Sequence, residues 1–270
     1  MSLLLRFKSY FEPLFLLAIS LVFLPITILT SPSLVFSPRN FRSKWFDKFW
    51  KVIGPKMAAS PQQVDHIEFL LSRARGVVLE LGPGAGDQMY HFKPDNITKV
   101  YGAEPNAFLH EKLLLQAKDH GLGGKYVAME CGAQPDSLLP KLKQVGLMPA
   151  KMQTLPEGGV FDTVIAIKSM CSAPQREQPA TLAVVQALLK PGGEFLFFEH
   201  VENNADWVTR WFVWVVNLFW PYIMGNCHLN SRLDKVLNGM GGWSSRDIST
   251  TGEHQGYEPF RYVRGVCTKA

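Results

Sequence analysis

Apolar residues are distributed unevenly along the chain, and the first 38 residues differ in pattern from all that follow. No residue from Pro13 to Pro38 is charged, and Leu14 to Leu29 is dominated by Leu, Ile, Val and Phe. About 20 apolar residues are enough to cross the hydrocarbon core of a bilayer. The pattern predicts a membrane anchor over residues 1–38. A tilted or kinked span is favoured because Pro25 weakens the second half, while an interfacial helix and a re-entrant hairpin stay open.

The residues that flank the anchor predict its orientation. Five bases follow it (Arg39, Arg42, Lys44, Lys48 and Lys51) and two precede it, so the positive-inside rule places the larger C-terminal part on the cytosolic side. The preceding bases, Arg6 and Lys8, are also typical of a secretory signal. A cleaved signal is disfavoured because the apolar run is too long and no small-x-small cleavage site follows it. We expect a membrane of the endoplasmic reticulum or lipid-droplet type.

Residues 39–57 combine these bases with aromatic residues. Trp45, Phe46, Phe49 and Trp50 lie among the basic positions, a composition typical of an amphipathic helix at a membrane interface. This part is predicted to be an interfacial linker. The alternative is that the aromatic side chains pack on the folded domain.

From residue 58 onward, short apolar runs alternate with segments of helical periodicity. Strands are predicted over 77–81, 99–103, 126–130, 161–167 and 194–199, and helices over 61–74, 108–118, 137–144 and 180–189. Residues 134–160, rich in Pro and Gly, are expected to form a surface excursion. Two further runs, 243–248 and 262–268, predict a terminal antiparallel pair. The alternation predicts an α/β fold, a Rossmann-like parallel sheet with helices on both faces, over residues 58–270.

The stretch Val77–Asp87 predicts a strand, a glycine loop and the start of a helix. Glycines at alternate positions, Gly82, Gly84 and Gly86, allow tight turns and the close approach of a ligand. A dinucleotide fingerprint would need a third glycine at position 87, where the chain has Asp87, and no P-loop sequence is present. A phosphate-binding loop is therefore disfavoured.

An acidic residue, Glu104, ends the second predicted strand about 20 residues after the loop. A carboxylate at this place can accept hydrogen bonds from both hydroxyls of a ribose. Cys131, Gly132 and Ala133 follow the third predicted strand, where an adenine would lie against small residues. For Cys131, a purely structural role as a small buried residue is the alternative.

Four separated motifs together resemble the class I SAM-dependent methyltransferases, where SAM is S-adenosyl-L-methionine. They are Glu80 to Gly86, Glu104, Phe161 to Ser172, and Leu188 to Val201. The last motif contains a Lys-Pro-Gly-Gly turn that is similar to the strand entry of the type 11 methyltransferases. The anchor, Cys171-Ser172, Glu199-His200-Val201 and Gly225-Asn226-Cys227 more narrowly resemble the methyltransferase-like protein 7 (thiol methyltransferase) family.

This resemblance implies which residues bind the cofactor SAM. It implies that Glu80, Gly82, Gly84 and Gly86 hold the methionine part, that Glu104 binds the ribose, and that Cys131, Gly132 and Ala133 flank the adenine. Neighbouring positions complete the predicted cofactor-binding set: Pro83, Pro105, Lys168 and Ser169. Lys168 places a charge beside the loop that would face the acceptor, which departs from the family pattern.

Methyl transfer from a sulfonium requires mainly that the acceptor be positioned and water excluded. If the acceptor is a thiol or a phenol, a histidine has the pKa range to take its proton. His200, at the end of the fifth strand, is the first candidate and His228 the second, although each can instead be structural. Cys171 is interpreted as a packing residue.

Aromatic residues are concentrated in residues 205–230. Trp207, Trp211, Trp214 and Trp220 lie among valines and phenylalanines, and the apolar residues cover every face of a helix. We interpret the segment as a lid that admits a lipophilic acceptor, or as a part that contacts the membrane. A plain core helix is the alternative.

Charge and cysteine content narrow the function further. The formal charge is +5, but residues 1–60 carry +6, so the remaining chain is close to neutral and a nucleic-acid partner is not expected. The four cysteines (Cys131, Cys171, Cys227 and Cys267) form no C-x-x-C pair, so neither a disulfide framework nor a metal site is predicted.

A membrane-anchored SAM-dependent methyltransferase acting on O, S or N of a small lipophilic acceptor is the leading hypothesis, in specialised metabolism or thiol detoxification. A nucleic-acid or protein methyltransferase and a SAM-fold protein that transfers no methyl group are the alternatives.

Overall fold

A seven-stranded sheet forms the centre of the molecule. The structure is a computed structural model that describes residues 2–149, 158–203, 206–251 and 258–270, with only the backbone for residues 2–5. The strand order is β3-β2-β1-β4-β5-β7-β6. The strands are β1 (Gly76–Leu81), β2 (Ile97–Ala103), β3 (Tyr126–Met129), β4 (Phe161–Ile167), β5 (Leu189–Val201), β6 (Trp243–Thr250) and β7 (Arg261–Lys269).

The pairing of the strands confirms the predicted fold class. The first five strands are parallel, and β7 pairs antiparallel with both β5 and β6. The central strands are buried on both faces, which explains why they are apolar runs rather than alternating patterns. Because parallel strands end at the same edge of the sheet, the residues after β1, β2, β4 and β5 meet there.

Helices cover both faces of the sheet, as predicted. They are α1 (Ser2–Thr30), α2 (Pro38–Ala58), α3 (Val64–Leu71), α4 (Ala107–Asp119), α5 (Pro135–Gln144), α6 (Gln178–Leu188), α7 (Trp207–Asn217), α8 (Trp220–Ile223) and α9 (Leu233–Gly239). One core lies between the sheet and α3 and α4, and the other between the sheet and α5, α6 and α9. These five helices, α3, α4, α5, α6 and α9, bury their apolar faces on the sheet.

The local structure differs from the sequence prediction in three places. The glycine loop leads into a single 3₁₀ turn, Met89–His91, because Pro94 lies too close to allow a long helix. Helix α3 begins at Val64 rather than at Pro61, which lies in a turn. Strand β5 begins at Leu189, and its pairing with β4 is interrupted by a bulge where Gly192 has a φ of +73°.

The predicted surface excursion is partly a core element. Leu138 and Leu142 of α5 are fully buried under the sheet, as is Met148 to within a few per cent. Residues 150–157 of that excursion lie outside the described residues.

The predicted interfacial linker is helix α2, and it packs into the molecule. Phe49 is 0% exposed and lies against Phe23 of α1 with their ring centroids 6.3 Å apart. Trp45 donates a hydrogen bond of 2.7 Å to the backbone oxygen of Ser20. The aromatic side chains of this segment therefore follow the alternative interpretation, because burial against α1 and the domain removes more apolar surface from water than an isolated linker could.

Helix α1 lies along the folded domain for much of its length. Its Tyr10 stacks on Phe212 of α7 with a centroid distance of 4.4 Å, and Arg6 forms an ion pair with Asp206. By length and composition, Arg6–Thr30 could cross a membrane, a property that a signal sequence shares. Its outward side carries exposed side chains such as Phe7 and Phe11.

The aromatic segment forms two helices rather than one. The break between α7 and α8 falls before Pro221, because a helix accommodates proline only in its first turn. Val213, Val216 and Trp220 are buried in a third core with α2. The tryptophans of α7 point outward instead: Trp207, Trp211 and Trp214 are 72%, 61% and 62% exposed.

Candidate active site

A cavity of about 680 Å³ lies at the carboxyl edge of the sheet. Its floor is formed by residues that follow β1, β2, β4 and β5, and α2 and α8 close it from the other side. This is the edge where open α/β sheets bind ligands. Glu12 of α1 also reaches the wall, so the N-terminal helix contributes to the cavity.

The glycine loop is shaped by two close approaches. Gly82 has a φ of +62°, and a Cβ added to it would lie 2.5 Å from the Cβ of Ser169. Gly84 has a φ of +61°, and a Cβ there would lie 2.9 Å from the indole nitrogen of Trp50. Only glycine fits both positions, because L side chains rarely adopt this φ and have no room here.

The third glycine of the loop has a different role. Gly86 is buried and packs against Leu113 and Gln116 of α4, away from the cavity wall. The residue after it, Asp87, which breaks the dinucleotide fingerprint, accepts a 2.7 Å ion-pair contact from Lys112. Gly86 and Asp87 therefore attach the loop to α4, and of the two only Asp87 also lines the cavity.

Two buried carboxyl groups lie on the wall beside the loop. The two oxygens of Glu104 accept hydrogen bonds from the backbone N–H groups of Asn106 (2.8 Å) and Gly84 (2.9 Å). Glu80 accepts a 2.6 Å hydrogen bond from the hydroxyl of Tyr126. This hydroxyl lies against Gly102, where any larger residue would clash with it. Burial raises the pKa of each carboxyl group to about 7.

These carboxyl groups fit a ligand with hydroxyl groups and a positive charge. A carboxylate offers about four acceptor positions, and Glu104 uses only two of them within the described protein. Both side chains face the cavity. The two glycines meanwhile keep the wall free of side chains where the ligand would approach.

The predicted adenine side is only partly on the cavity wall. Gly132 and Ala133 line it, with Gln134 and Ser137, whereas Cys131 is 4% exposed and packs in the core with Met129 and Leu138. The N–H of Gly132 donates a 2.9 Å hydrogen bond to Ser137. Cys131 thus follows the structural alternative, since its side chain leaves the strand end toward the core. Pro83 and Pro105 also lie on the wall.

Lys168 and Ser169 follow β4 and lie on the cavity wall, with Ser169 next to Gly82 of the glycine loop. Glu199 holds this loop, because one of its carboxyl oxygens accepts hydrogen bonds from the N–H groups of Ser169 (2.7 Å) and Met170 (2.8 Å). Lys168 adopts a φ of +54°, and its ammonium group donates to Gln63 at 3.1 Å. Burial lowers the pKa of Lys168 to about 8.

The end of β5 brings His200 next to two cysteines. Its Nε2 lies 3.0 Å from the Sγ of Cys227, and Cys171 lies beside both. Burial raises the pKa of the Cys227 thiol, but hydrogen bonding to Cys171 and the charge of His200 outweigh burial and hold this pKa well below its usual range. Burial lowers the pKa of His200, but the neighbouring Cys227 thiolate raises it by more. The pKa of His200 is therefore raised above its usual value.

His228, the second candidate base, is placed elsewhere. Its backbone N–H donates a 2.8 Å hydrogen bond to the oxygen of Cys171, but among the described residues its side chain is outside the set that lines the cavity. The loop therefore uses His228 to hold Cys171, which is a structural role.

The prediction missed several wall residues. Phe46 and Trp50 stack with their centroids 5.3 Å apart and line the cavity from α2, and Phe260 and Tyr262 line it from the other side. The aromatic content of residues 39–57 could have indicated that Phe46 and Trp50 line a cavity, but the same composition also fits a membrane interface. Phe260 and Tyr262 carried no local signal, because β7 meets β5 only in the folded chain.

Comparison with known proteins places this site in a defined family context. A family model described as a methyltransferase domain matches residues 57–235, about two thirds of the chain. A sequence comparison with curated proteins gives no match.

Solved structures share the fold at low sequence identity. An O-methyltransferase family protein from Burkholderia thailandensis has a TM-score of 0.55 and 17% identity over 84% of this chain, which spans 59% of that protein. Geranyl diphosphate methyltransferase in complex with GPP and sinefungin has a TM-score of 0.52 and 14% identity, over 77% of each chain. The N-methyltransferase NodS from Bradyrhizobium japonicum WM9, with S-adenosyl-L-homocysteine (SAH) bound, has a TM-score of 0.51 and 10% identity over 79% of this chain and 90% of its own. These comparisons do not support the narrower resemblance to the methyltransferase-like protein 7 family, which stays a prediction.

Proposed function

We propose, from the premise that the chain belongs to the methyltransferase domain family, that it transfers a methyl group from SAM to an O, S or N atom of a small lipophilic acceptor. One observation carries the proposal. A single cavity is lined by carboxyl groups and a glycine loop and also by apolar and aromatic side chains. A polar donor and an apolar acceptor would meet in the middle of it.

The donor half would hold SAM through residues already described. Glu104 would accept hydrogen bonds from the ribose hydroxyls, and Glu80 with the loop at Gly82 and Gly84 would bind the methionine part. Gly132 and Ala133 would lie against the adenine. When bound, SAM supplies a methyl group on a sulfonium leaving group, so this chain needs no nucleophile of its own.

The acceptor half is walled by apolar side chains. Phe46, Trp220, Met224 and Phe260 surround it, and Tyr222 lies at its margin. Such a wall favours a lipophilic molecule and excludes water from the reacting atoms. Residues 205–230 would thus close the acceptor side, in agreement with the lid interpretation.

His200 lies where the acceptor atom would be. Its ring contacts the rings of Phe260 and Tyr262 edge-on, at centroid distances of 5.7 and 6.3 Å. Its Nε2 is engaged by Cys227, so His200 would orient an acceptor together with this cysteine rather than act alone. His228 has no part in the proposed reaction.

We further propose that the protein works at a membrane surface. The outward sides of α1 and α7 carry large exposed side chains, among them Phe7, Phe11 and Trp211, and the two helices touch where Tyr10 stacks on Phe212. Neighbouring apolar faces with aromatic side chains are typical of segments that enter the headgroup region. An acceptor dissolved in the membrane would then be close to the cavity.

Isothermal titration of the full chain in detergent with SAH tests the donor site. Binding is expected, and Glu104→Ala is expected to weaken it by roughly 10- to 100-fold, because hydrogen bonds to a charged group contribute about 1.5–3 kcal/mol. Glu111→Ala, on the exposed side of α4, is the matched control and should leave binding unchanged. No binding, or equal binding by the two variants, would refute the assignment.

Methyl transfer itself is tested with isotopically labelled SAM and a panel of lipophilic phenols, thiols and amines, read by mass spectrometry. The expected product carries the labelled methyl group. If a cognate molecule is converted while SAM is recovered intact, the protein catalyses a reaction other than transfer.

A further inference from the structure

Three side chains with metal-binding atoms converge on one wall of the cavity. The Sγ of Cys171, the Nε2 of His200 and the Sγ of Cys227 all lie within 4.8 Å of one another. They come from three separate parts of the chain: the turn after β4, the end of β5 and the loop after α8. We propose that this Cys₂His cluster is a binding site for a thiophilic divalent cation, Zn²⁺ in the first place.

The spacing of the ligand atoms is close to what a tetrahedral zinc ion needs. Zn–S bonds of about 2.3 Å and Zn–N bonds of about 2.0 Å put neighbouring ligand atoms roughly 3.5–3.8 Å apart. The distance of 3.0 Å from His200 Nε2 to Cys227 Sγ is slightly shorter than this spacing. The upper limit of 4.8 Å for all three pairs of ligand atoms is longer. The measured spacing and its upper limit thus bracket the spacing that a tetrahedral ion needs.

The chemical nature of the ligands selects the ion. Two cysteines and one histidine are soft or borderline donors, which favour Zn²⁺ over Mg²⁺ or Ca²⁺. Two thiolates also balance the two positive charges of the ion. This balance matters because Cys171 and His200 are 2% and 4% exposed, and an uncompensated charge in such a place would be costly.

Hydrogen bonds from backbone and side-chain groups hold the two cysteine loops together. The N–H of His228 donates to the oxygen of Cys171 (2.8 Å), and the side-chain amide of Asn226 donates to the oxygen of Ser172 (2.8 Å). The Ser172 hydroxyl donates to the oxygen of Gly225 at 3.2 Å. Glu199 fixes the Cys171 turn from below through the N–H of Met170. The ligands are thus positioned in advance, as a binding site requires.

The cluster offers three protein ligands within the described chain and lies on the cavity wall. Structural zinc sites are usually closed by four protein ligands, whereas three ligands leave one position open. Here the open position would face the cavity and take water or a heteroatom of the molecule bound there. The identity of that molecule as the methyl acceptor rests on the proposed function, but the cation site does not.

Co²⁺ titration of the reduced full chain in detergent, under anaerobic conditions, tests the site. About one equivalent is expected to bind, with the intense visible bands of tetrahedral Co²⁺ and a thiolate-to-metal charge-transfer band in the near ultraviolet, and Zn²⁺ should displace it. Cys227→Ser and His200→Asn are expected to abolish these bands. Cys267→Ser is the matched control, since this buried cysteine lies in the sheet core and should leave the spectrum unchanged.

X-ray absorption of the zinc-loaded unmodified chain makes the test independent of how the variants fold. A shell with two sulfur atoms at about 2.3 Å is expected, and a shell of nitrogen and oxygen alone would overturn the proposal. The proposal also fails if the reduced protein binds no Co²⁺. SAH binding, measured on the same samples, reports separately on the proposed function.

Discussion

At the scale of single residues, Glu104 connects the structure to a dependence on pH. Burial raises the pKa of Glu104 to about 7. The hydrogen bonds from the backbone N–H groups of Asn106 and Gly84 favour the charged form and only partly oppose this effect. Ribose hydroxyls would donate stronger hydrogen bonds to the ionised carboxylate than to the protonated acid, so ionisation of Glu104 favours binding of the ligand. The affinity for SAH is therefore expected to rise with pH, by about tenfold between pH 6 and pH 8 if only the carboxylate binds.

Titration calorimetry at the two pH values measures this rise. Glu104→Gln is expected to flatten the profile and to leave only the part contributed by Glu80, whose pKa is also about 7. An affinity that falls from pH 6 to pH 8 would contradict the role of both carboxylates.

Two glycines with the same backbone conformation separate strain from crowding. Gly82 has a φ of +62°, and a Cβ added to it would lie 2.5 Å from the Cβ of Ser169. Gly124 has a φ of +77°, and a Cβ added to it would meet open space. Alanine at either position is expected to cost about 1–2 kcal/mol of stability, because this φ disfavours L residues. Only Gly82→Ala is expected to weaken SAH binding, by roughly tenfold or more, since the Ser169 loop must move. Denaturation curves and calorimetry on both variants make the comparison, and equal losses of binding would show that crowding at the loop is unimportant.

At the scale of elements, the outer face of α7 is the feature with the clearest consequence. Its three tryptophans, Trp207, Trp211 and Trp214, are exposed while its inner residues Val213 and Val216 are buried. Replacing all three by serine is expected to lower partition into lipid vesicles by roughly tenfold or more, because each removes a large apolar surface from the interface. Vesicle co-flotation and the shift of tryptophan emission measure the change.

The control for this prediction lies on another helix. Leu115 of α4 is 54% exposed on a part of the surface away from α1 and α7, and Leu115→Ser should leave partition unchanged. SAH binding should survive in both variants. If the triple variant floats as well as the unmodified chain, α1 alone accounts for membrane binding.

At the scale of the whole molecule, the N-terminal segment belongs to the folded body. Phe49 of α2 is 0% exposed and Phe36, in the connection between α1 and α2, is 91% exposed. Phe49→Ala is expected to lower the free energy of unfolding by about 3–5 kcal/mol, as removal of a buried phenylalanine does. Phe36→Ala should change it by less than about 0.5 kcal/mol.

Denaturant unfolding in a fixed detergent, followed by far-ultraviolet circular dichroism, compares the two phenylalanine variants. Similar small effects would mean that α2 is only loosely attached, as the interfacial-linker prediction holds.

The sequence by itself determined the parts that depend on local pattern. Apolar runs and helical periodicity predicted the sheet and most helices, because burial on both faces leaves a continuous apolar signature. The glycine loop and Glu104 were predicted because a positive φ in a tight turn favours glycine, and because the spacing of the strands along the chain places an acid at the end of the next one.

Only the tertiary structure decided which side chains share the cavity. One step along the chain separates Cys131, in the core, from Gly132, on the wall, and no periodicity marks that boundary in a loop. The approach of Cys171, His200 and Cys227 joins residues far apart in sequence, so their spacing carried no metal-site pattern. The aromatic residues of α2 fitted a membrane interface and a protein core equally well, because both remove apolar surface from water, and only the contacts of Phe49 and Trp50 distinguish them.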